Sequence, residues 1–307
     1  MKKKIDLFVC TKPLQYLNVL NIPLSDNGNM KILAIVQSFY KSAEFSENVC
    51  RVDSHWDKVI PFDTVYRVFW FILWHRVRNL YISSDNGTAI GVLYHLKHFN
   101  LYMVEEGAAT YLDIYMKKSK IRTVLDKCLG VSACWGHSVF LKGVYVYYPK
   151  LYKIKKNVSY DVLPFVCSFM ETIRSKSDFF LKISSSDDLS FLQVKDSKIL
   201  VYVTDWEINE DVKSRMVEEM GNYDKVYIKP HPHIKSDTIT NPEGIELIRT
   251  NLMMEFVFCK WLDNNNKITV YHEGSSAIFY YNSQFESVDF SPNKDSEYNR
   301  FVSKREV

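Results

Sequence analysis

Short apolar runs recur along the chain and alternate with segments whose apolar positions are spaced for a helix. Runs of strand length bounded by polar clusters read as buried strands, and strands alternating with helices read as parallel α/β architecture. In the first half the strand-like runs fall at 5–10, 31–37, 79–83 and 101–104, with helical patterns such as 13–20 and 89–98 between them. Pro13 stands where a first helical turn tolerates a missing N–H. From about 145 to 197 the alternation loosens through "YVYYPKLYKIKKNVSYDVLP" and the polar "ISSSDD". A second series then follows at 199–203, 225–228 and 267–271, with "EDVKSRMVEEM" as a helix between the first two. The expected organisation is two Rossmann-like domains facing a cleft, 1–155 and 197–307, joined by a linker region at 156–196. In such sheets ligands lie beyond the carboxyl ends of the strands.

Composition narrows this picture without changing it. The chain has 307 residues, 47% of them hydrophobic and 24% charged, enough apolar material for two cores. A net charge of +3 does not describe a nucleic-acid binder. Basic residues do cluster locally, at Lys117, Lys118, Lys120 and Arg122 and again between 142 and 156, as solvated faces or as sites for an anionic partner. No two of the six cysteines have C-x-x-C spacing, so they are expected as reduced core residues of a cytosolic protein. The opening "MKKKIDLFVC" is interrupted by Asp6 and reads as a first strand rather than a signal peptide. The greasiest stretch, "VFWFILW" at 68–74, is too short to cross a bilayer. It reads as a core helix, or as a helix lying on a membrane surface between Arg67 and Arg76.

Chemistry gathers at three strand ends. Glu105 and Glu106 follow the run 101–104, with Gly107 allowing a tight turn. Adjacent side chains in extended backbone point to opposite sides, so one carboxylate at most faces a cleft, where partial desolvation would make it a general base. Without such a role the pair is an ordinary solvated turn. In "YIKPHPHI" two prolines stiffen the loop that presents His231, which can donate to a phosphate oxygen or protonate a leaving group. In "KITVYHEGSSAIFYYN" a strand ends at His272, a turn follows at Gly274, and Ser275 and Ser276 begin a helical pattern. Capping explains one serine; two, with unpaired N–H groups and a helix dipole, would make an anion site. Neither G-x-x-x-x-G-K-[ST] nor G-x-G-x-x-G occurs, which removes the main support for ATPase and dinucleotide readings.

These three elements, in this order, are where the chain resembles the bacterial sialyltransferases of glycosyltransferase family 52, of the lipooligosaccharide, capsule and O-antigen type, kin to the polysialyltransferases. The matching motifs are Glu105-Glu106-Gly107, His231-Pro232 and Ser275-Ser276, and "CTKPLQYLN" at 10–18 is similar to the family's first strand-to-helix loop. The resemblance implies a GT-B fold and inverting transfer from CMP-sialic acid to a sugar hydroxyl, a terminal galactoside for instance, without metal or other cofactor. It implies Glu105 as general base, Glu106 as structural, and His231, Ser275 and Ser276 at the CMP phosphate. Lys229, Pro232 and Gly274 are carried over to the donor side, and Thr11, Gln15, Glu106 and Gly107 to the acceptor side. It further implies a sugar-nucleotide donor, a glycan or glycolipid acceptor, a cytoplasmic protein at the inner face of the inner membrane, and compatibility with a homodimer. The residues alone leave other readings open: a related transferase using another sugar nucleotide, a polysialyltransferase, a metal hydrolase built on His231, His233, His272 and Glu273, or a sugar- or nucleotide-binding scaffold without activity.

Overall fold

In this computed structural model the described residues are 3–24, 28–115, 118–184, 188–205, 207–232, 234, 241–281 and 284–291; Lys117 and His233 lie outside them. The chain divides into two compact units, one running to Thr172 and the other comprising Ile173–Val307 together with Phe39–Lys41. Each is built on one sheet of parallel strands, and each is described by itself.

The first sheet contains β1 (Ile5–Cys10), β2 (Met30–Val36), β3 (Lys58–Phe62), β4 (Val77–Ile82), β5 (Asn100–Val104), β6 (Leu141–Val146) and β7 (Asp161–Pro164), in the order β3-β2-β1-β4-β5-β6-β7. Every pairing is parallel. All six residues of β1 are buried, as expected for a central strand covered by helices on both faces. The second sheet contains β8 (Lys198–Val203), β9 (Lys225–Lys229), β10 (Glu246–Leu247), β11 (Lys267–His272) and β12 (Glu286–Asp289), in the order β10-β9-β8-β11-β12, again all parallel. Counted from its own first strand, the second sheet runs 3-2-1-4-5 and the first 3-2-1-4-5-6-7, both in the doubly wound order. The direction of winding reverses beside β1 in one unit and beside β8 in the other, and that reversal opens a crevice at the carboxyl ends of the strands. The two Rossmann-like units expected from the alternation are observed, and they are of the GT-B type that the resemblance implies.

The described residues of 156–196, expected as a linker, hold regular secondary structure. They include β7 and the helices Phe169–Ser175 and Ser177–Ile183, and the two units meet within this stretch at Thr172/Ile173. The polar "ISSSDD" hid an apolar set, Phe169, Ile173, Phe180 and Ile183, each buried. Phe180 lies with its ring centroid 6.3 Å from that of Phe256 on the helix Met254–Asp263. The six thiols are free, but only Cys10, Cys134 and Cys259 are core residues; Cys50, Cys128 and Cys167 are exposed.

Because Phe180 is fully buried in a segment that a linker would leave in solvent, Phe180→Ala is expected to destabilise the second unit by about 3–5 kcal/mol. Urea denaturation monitored by circular dichroism measures it. An unchanged midpoint would return this stretch to the status of a connector.

Candidate functional site

In the first unit the candidate residues follow the ends of β1 and β5, on either side of β4, where that sheet reverses. Gln15, on the helix Pro13–Leu20, stitches the crevice together. Its Oε1 accepts from the Thr11 N–H at 2.6 Å and the Thr11 hydroxyl at 3.1 Å, and its Nε2 donates to the Ser83 hydroxyl at 2.8 Å. With its amide so engaged and its side chain buried, Gln15 holds the loop of β1 against that of β4.

Glu105 and Glu106 point to opposite sides, as alternation requires, but the partition reverses the expected one. Glu105 is completely buried. Its Oε2 accepts from the Tyr111 hydroxyl at 2.5 Å and from the Tyr147 N–H at 2.7 Å. The Tyr111 oxygen in turn accepts from the Tyr148 N–H at 3.1 Å. Burial and the neighbouring Glu105 carboxylate push the Tyr111 phenol well above its usual range, so it remains a donor. Asn18 adds a bond from Nδ2 to the Glu105 carbonyl, 2.7 Å, and accepts from the Tyr147 hydroxyl at 3.0 Å. Glu106 is the carboxylate with an open edge. It pairs with Lys12 at 2.7 Å, and its N–H is held by the Thr110 hydroxyl at 2.8 Å. Gly107 adopts φ +98°, ψ −160°, a region that a Cβ excludes, and this sends the chain into the short 3₁₀ turn Ala108–Tyr111 that delivers Tyr111 to Glu105. The spacing showed that one acid would face out; it contained no sign of Asn18, Tyr111 and Tyr147, which decide which.

In the second unit the ends of β8, β9 and β11 enclose a pocket of about 170 Å³ lined by His231, Gly274, Ser275 and Ser276 together with Val203, Thr204, Asp205 and Glu273. Four of the sequence candidates are thus brought together at the reversal of the second sheet. Thr204 builds one wall: its N–H donates to the Lys229 carbonyl (3.1 Å), its Oγ1 accepts from the His231 N–H (2.9 Å) and donates to the Asp205 carbonyl (3.0 Å). Glu273 builds another. It accepts from the Tyr202 hydroxyl (2.5 Å) and from Asn209 Nδ2 (2.9 Å), while the Asn209 N–H donates to the Tyr202 oxygen (3.1 Å). Sequence reasoning passed over Thr204 and Asp205, although a polar pair directly after the apolar run of β8 was the signal that found the other two strand ends.

The serines differ from expectation in one respect. They open a single 3₁₀ turn, Ser276–Ile278, not a helix, so little dipole is available. Ser275 spends its hydroxyl on the Ala277 N–H at 3.3 Å, whereas the Ser276 hydroxyl has no hydrogen-bond partner among the described residues. Of the groups lining the pocket, His231 is the one that can carry positive charge, and Asp205 and Glu273 carry negative. Lys229 and Pro232 are not part of it. Lys229 is buried with its ammonium on the Thr250 carbonyl at 3.2 Å. Both border a second recess of about 20 Å³, room for one water, which shares His231 with the pocket.

His272 sits just beneath the turn. Its Nδ1 accepts from the Gly274 N–H at 3.1 Å, which places the ring proton on Nε2, a buried atom without a hydrogen-bond partner among the described residues. Among the described residues, groups that bring three ligand atoms within 4.8 Å of one another are limited to Asp113, Cys134 and His137 in the first unit, and His231, His272 and Glu273 do not form such a group. At Asp113 the Lys156 ammonium lies 3.3 Å from the same oxygen that accepts from His137, and burial pushes the Cys134 thiol up to about 12.

With this geometry in view, comparisons locate the fold. The sequence matches no protein-family model, and no curated protein is similar to it. Solved structures do resemble it. A Listeria monocytogenes protein assigned as a UDP-N-acetylglucosamine 2-epimerase aligns with TM-score 0.55 and 11% identity over 94% of this chain and 79% of its own. The wall teichoic acid polymerase TagF, in a CDPG soak, aligns with TM-score 0.54 and 10% identity over 97% and 72%. The glycosyltransferase SnogD from Streptomyces nogalater aligns with TM-score 0.50 and 10% identity over 98% and 84%. At such identities the likeness is one of fold, the GT-B arrangement of two Rossmann-like units.

Burial holds the His272 pKa below its ordinary 6.5 against the pull of Asp289, 3.8 Å away. The unfolded chain therefore binds the proton first as pH falls below about 6.5, and stability is lost with it. Denaturation at about pH 7.5 and pH 5.5 should show a larger loss for the native chain than for His272→Asn, which keeps an acceptor for Gly274 but does not titrate there. Parallel losses in the two proteins would sink the assignment.

Proposed function

We propose that this chain is an inverting glycosyltransferase that moves a sugar from a sugar nucleotide to a sugar hydroxyl of a surface glycan, with CMP-sialic acid as donor. The observation that carries the reading is the pocket of the second unit. It joins His231 to the Gly274–Ser276 turn at a sheet reversal, the place where doubly wound folds hold nucleotides. The order of motifs along the chain supports the donor. The fold supports the class, since GT-B neighbours include a glycosyltransferase and a polymerase of wall teichoic acid.

In this reading His231 and the Ser276 hydroxyl donate to the phosphate oxygens as the glycosidic bond breaks, and a protonated His231 neutralises the departing CMP. Donors of this kind, fixed where charge develops, are each worth about 3–4 kcal/mol in a transition state. Asp205, an acceptor on the rim, suits a hydroxyl of the nucleotide or sugar. A single phosphate with protein donors around it asks for no metal ion.

The base comes from the acidic turn of the first unit, and its assignment moves by one residue. A base must touch the hydroxyl it deprotonates. Glu105 is sealed and hydrogen-bonded to Tyr111 and Tyr147, whereas the Glu106 side chain keeps 13% exposure and pairs with the half-buried Lys12. Glu105 then acts on the reaction through Tyr111 and Tyr147, as a positioning residue.

Glu106→Gln should lower turnover about 10²–10⁴-fold with donor KM nearly unchanged, whereas His231→Ala should lower turnover and also raise donor KM and weaken CMP. Glu105→Gln should lower the thermal midpoint. Release of CMP from CMP-sialic acid with a galactoside acceptor is the assay, and thermal shift with CMP, UDP and GDP reads the donor. Stabilisation by UDP alone would replace the donor. A folded but inactive Glu105→Gln beside an active Glu106→Gln would return the base to Glu105.

A further inference from the structure

Three consecutive helices of the first unit turn apolar side chains toward solvent. The helix Val65–Trp74 buries Val68 and Ile72 and leaves Tyr66, Trp70 and Trp74, spaced four apart, 74%, 60% and 77% exposed. It packs beside Thr88–Lys97, which exposes Leu96, and that helix packs beside Lys120–Cys128. The last of these is inverted. Ile121, Val124, Leu125 and Cys128 have the i, i+3, i+4, i+7 spacing of a core-facing stripe, yet all are exposed, while the residue it buries is Asp126. Asp126 anchors it through Lys118 at 2.5 Å and the Thr88 hydroxyl at 2.5 Å. A polar contact therefore fixes the helix to the unit, and its apolar stripe is left over. Scattered surface hydrophobics need no explanation, but three neighbouring helices with outward stripes do.

Charge selects the occupant. The three helices carry five Lys or Arg, at Arg67, Lys97, Lys120, Arg122 and Lys127, against one acid, the buried Asp126. Arg67 is met by Asp63 at 3.5 Å; the other four have no salt-bridge partner among the described residues. A second copy of the chain would bring the same cations face to face. A surface of anionic lipid headgroups over acyl chains matches both features at once, with tryptophans at the interface and cations at the headgroups. We infer that this face docks the protein peripherally on an anionic lipid bilayer. No helix among the described residues is long and apolar enough to cross one, so the attachment is by the helix faces. The inference is independent of the reaction proposed above.

The test uses the full chain and phosphatidylcholine vesicles with or without roughly a third phosphatidylglycerol. The protein should sediment with the anionic vesicles at about 0.1 M salt, more weakly as screening increases, and brominated acyl chains should quench its tryptophan fluorescence. Trp70→Ser/Trp74→Ser should lose that quenching and at least about tenfold in partitioning, with the thermal midpoint unchanged because both rings are exposed. Lys120→Glu/Arg122→Glu should weaken binding to the anionic vesicles alone. Absence of vesicle binding, equal binding by native and Trp variants, or a dimer in light scattering that the Trp variant dissolves would each overturn it, the last by assigning the face to a second copy.

Discussion

A strand covered by helices on both faces can keep polar chemistry only at its ends. Its interior side chains are packed on both sides, and its backbone groups are spent on neighbouring strands. Both sheets of this chain obey that constraint, and it explains why every candidate residue lies within a few positions of a strand's carboxyl end. It also explains the pairing of candidates. The winding reverses beside β1 and beside β8, so the loops that diverge there, rather than any others, leave room for a ligand.

Holding a carboxylate at such an end takes donors, whether it is buried, as Glu105 is, or half-buried, as Glu273 is, and the two units supply them in the same way. Glu105 receives a hydroxyl from Tyr111 and Glu273 one from Tyr202, each at 2.5 Å, with Tyr147 N–H and Asn209 as second donors. Tyr16 with Asp53, and Tyr271 with Glu219, repeat the pairing elsewhere. The 20 tyrosines are therefore more than apolar filling: a phenol packs like a core residue and delivers one hydrogen bond at its tip. The penalty for a buried carboxylate falls when charge-assisted bonds of this kind surround it.

Much of the fold was legible because a parallel strand buried on both faces is a nearly continuous apolar run. β1, β2, β4, β5, β8, β9 and β11 all announced themselves in this way. β3, "KVIPF", carries a proline and lies at the sheet's edge; β6, "LKGVYV", carries a glycine; and β7 is four half-exposed residues, so none produced a comparable signal. The strand-end rule found His231, Gly274, Ser275 and Ser276, which the structure brings into one pocket. At Lys229 and Gln15 a charged or amide side chain near a strand end turns inward to tie loops together. Local sequence says that a polar residue stands at such a place, while its direction depends on partners tens of residues away, as Gln15 does on Ser83.

The recurrence of one strand order in both units, without any repeat in the sequence, has an evolutionary consequence. Each unit owns a complete sheet with its own crevice, so substitutions that retune the loops of β8, β9 and β11 leave the scaffold of β1, β4 and β5 undisturbed. Selection can exchange what one half recognises while the other half stays as it was. Such a chain diversifies its chemistry piecemeal, by independent drift of two loop clusters on frameworks that need not change.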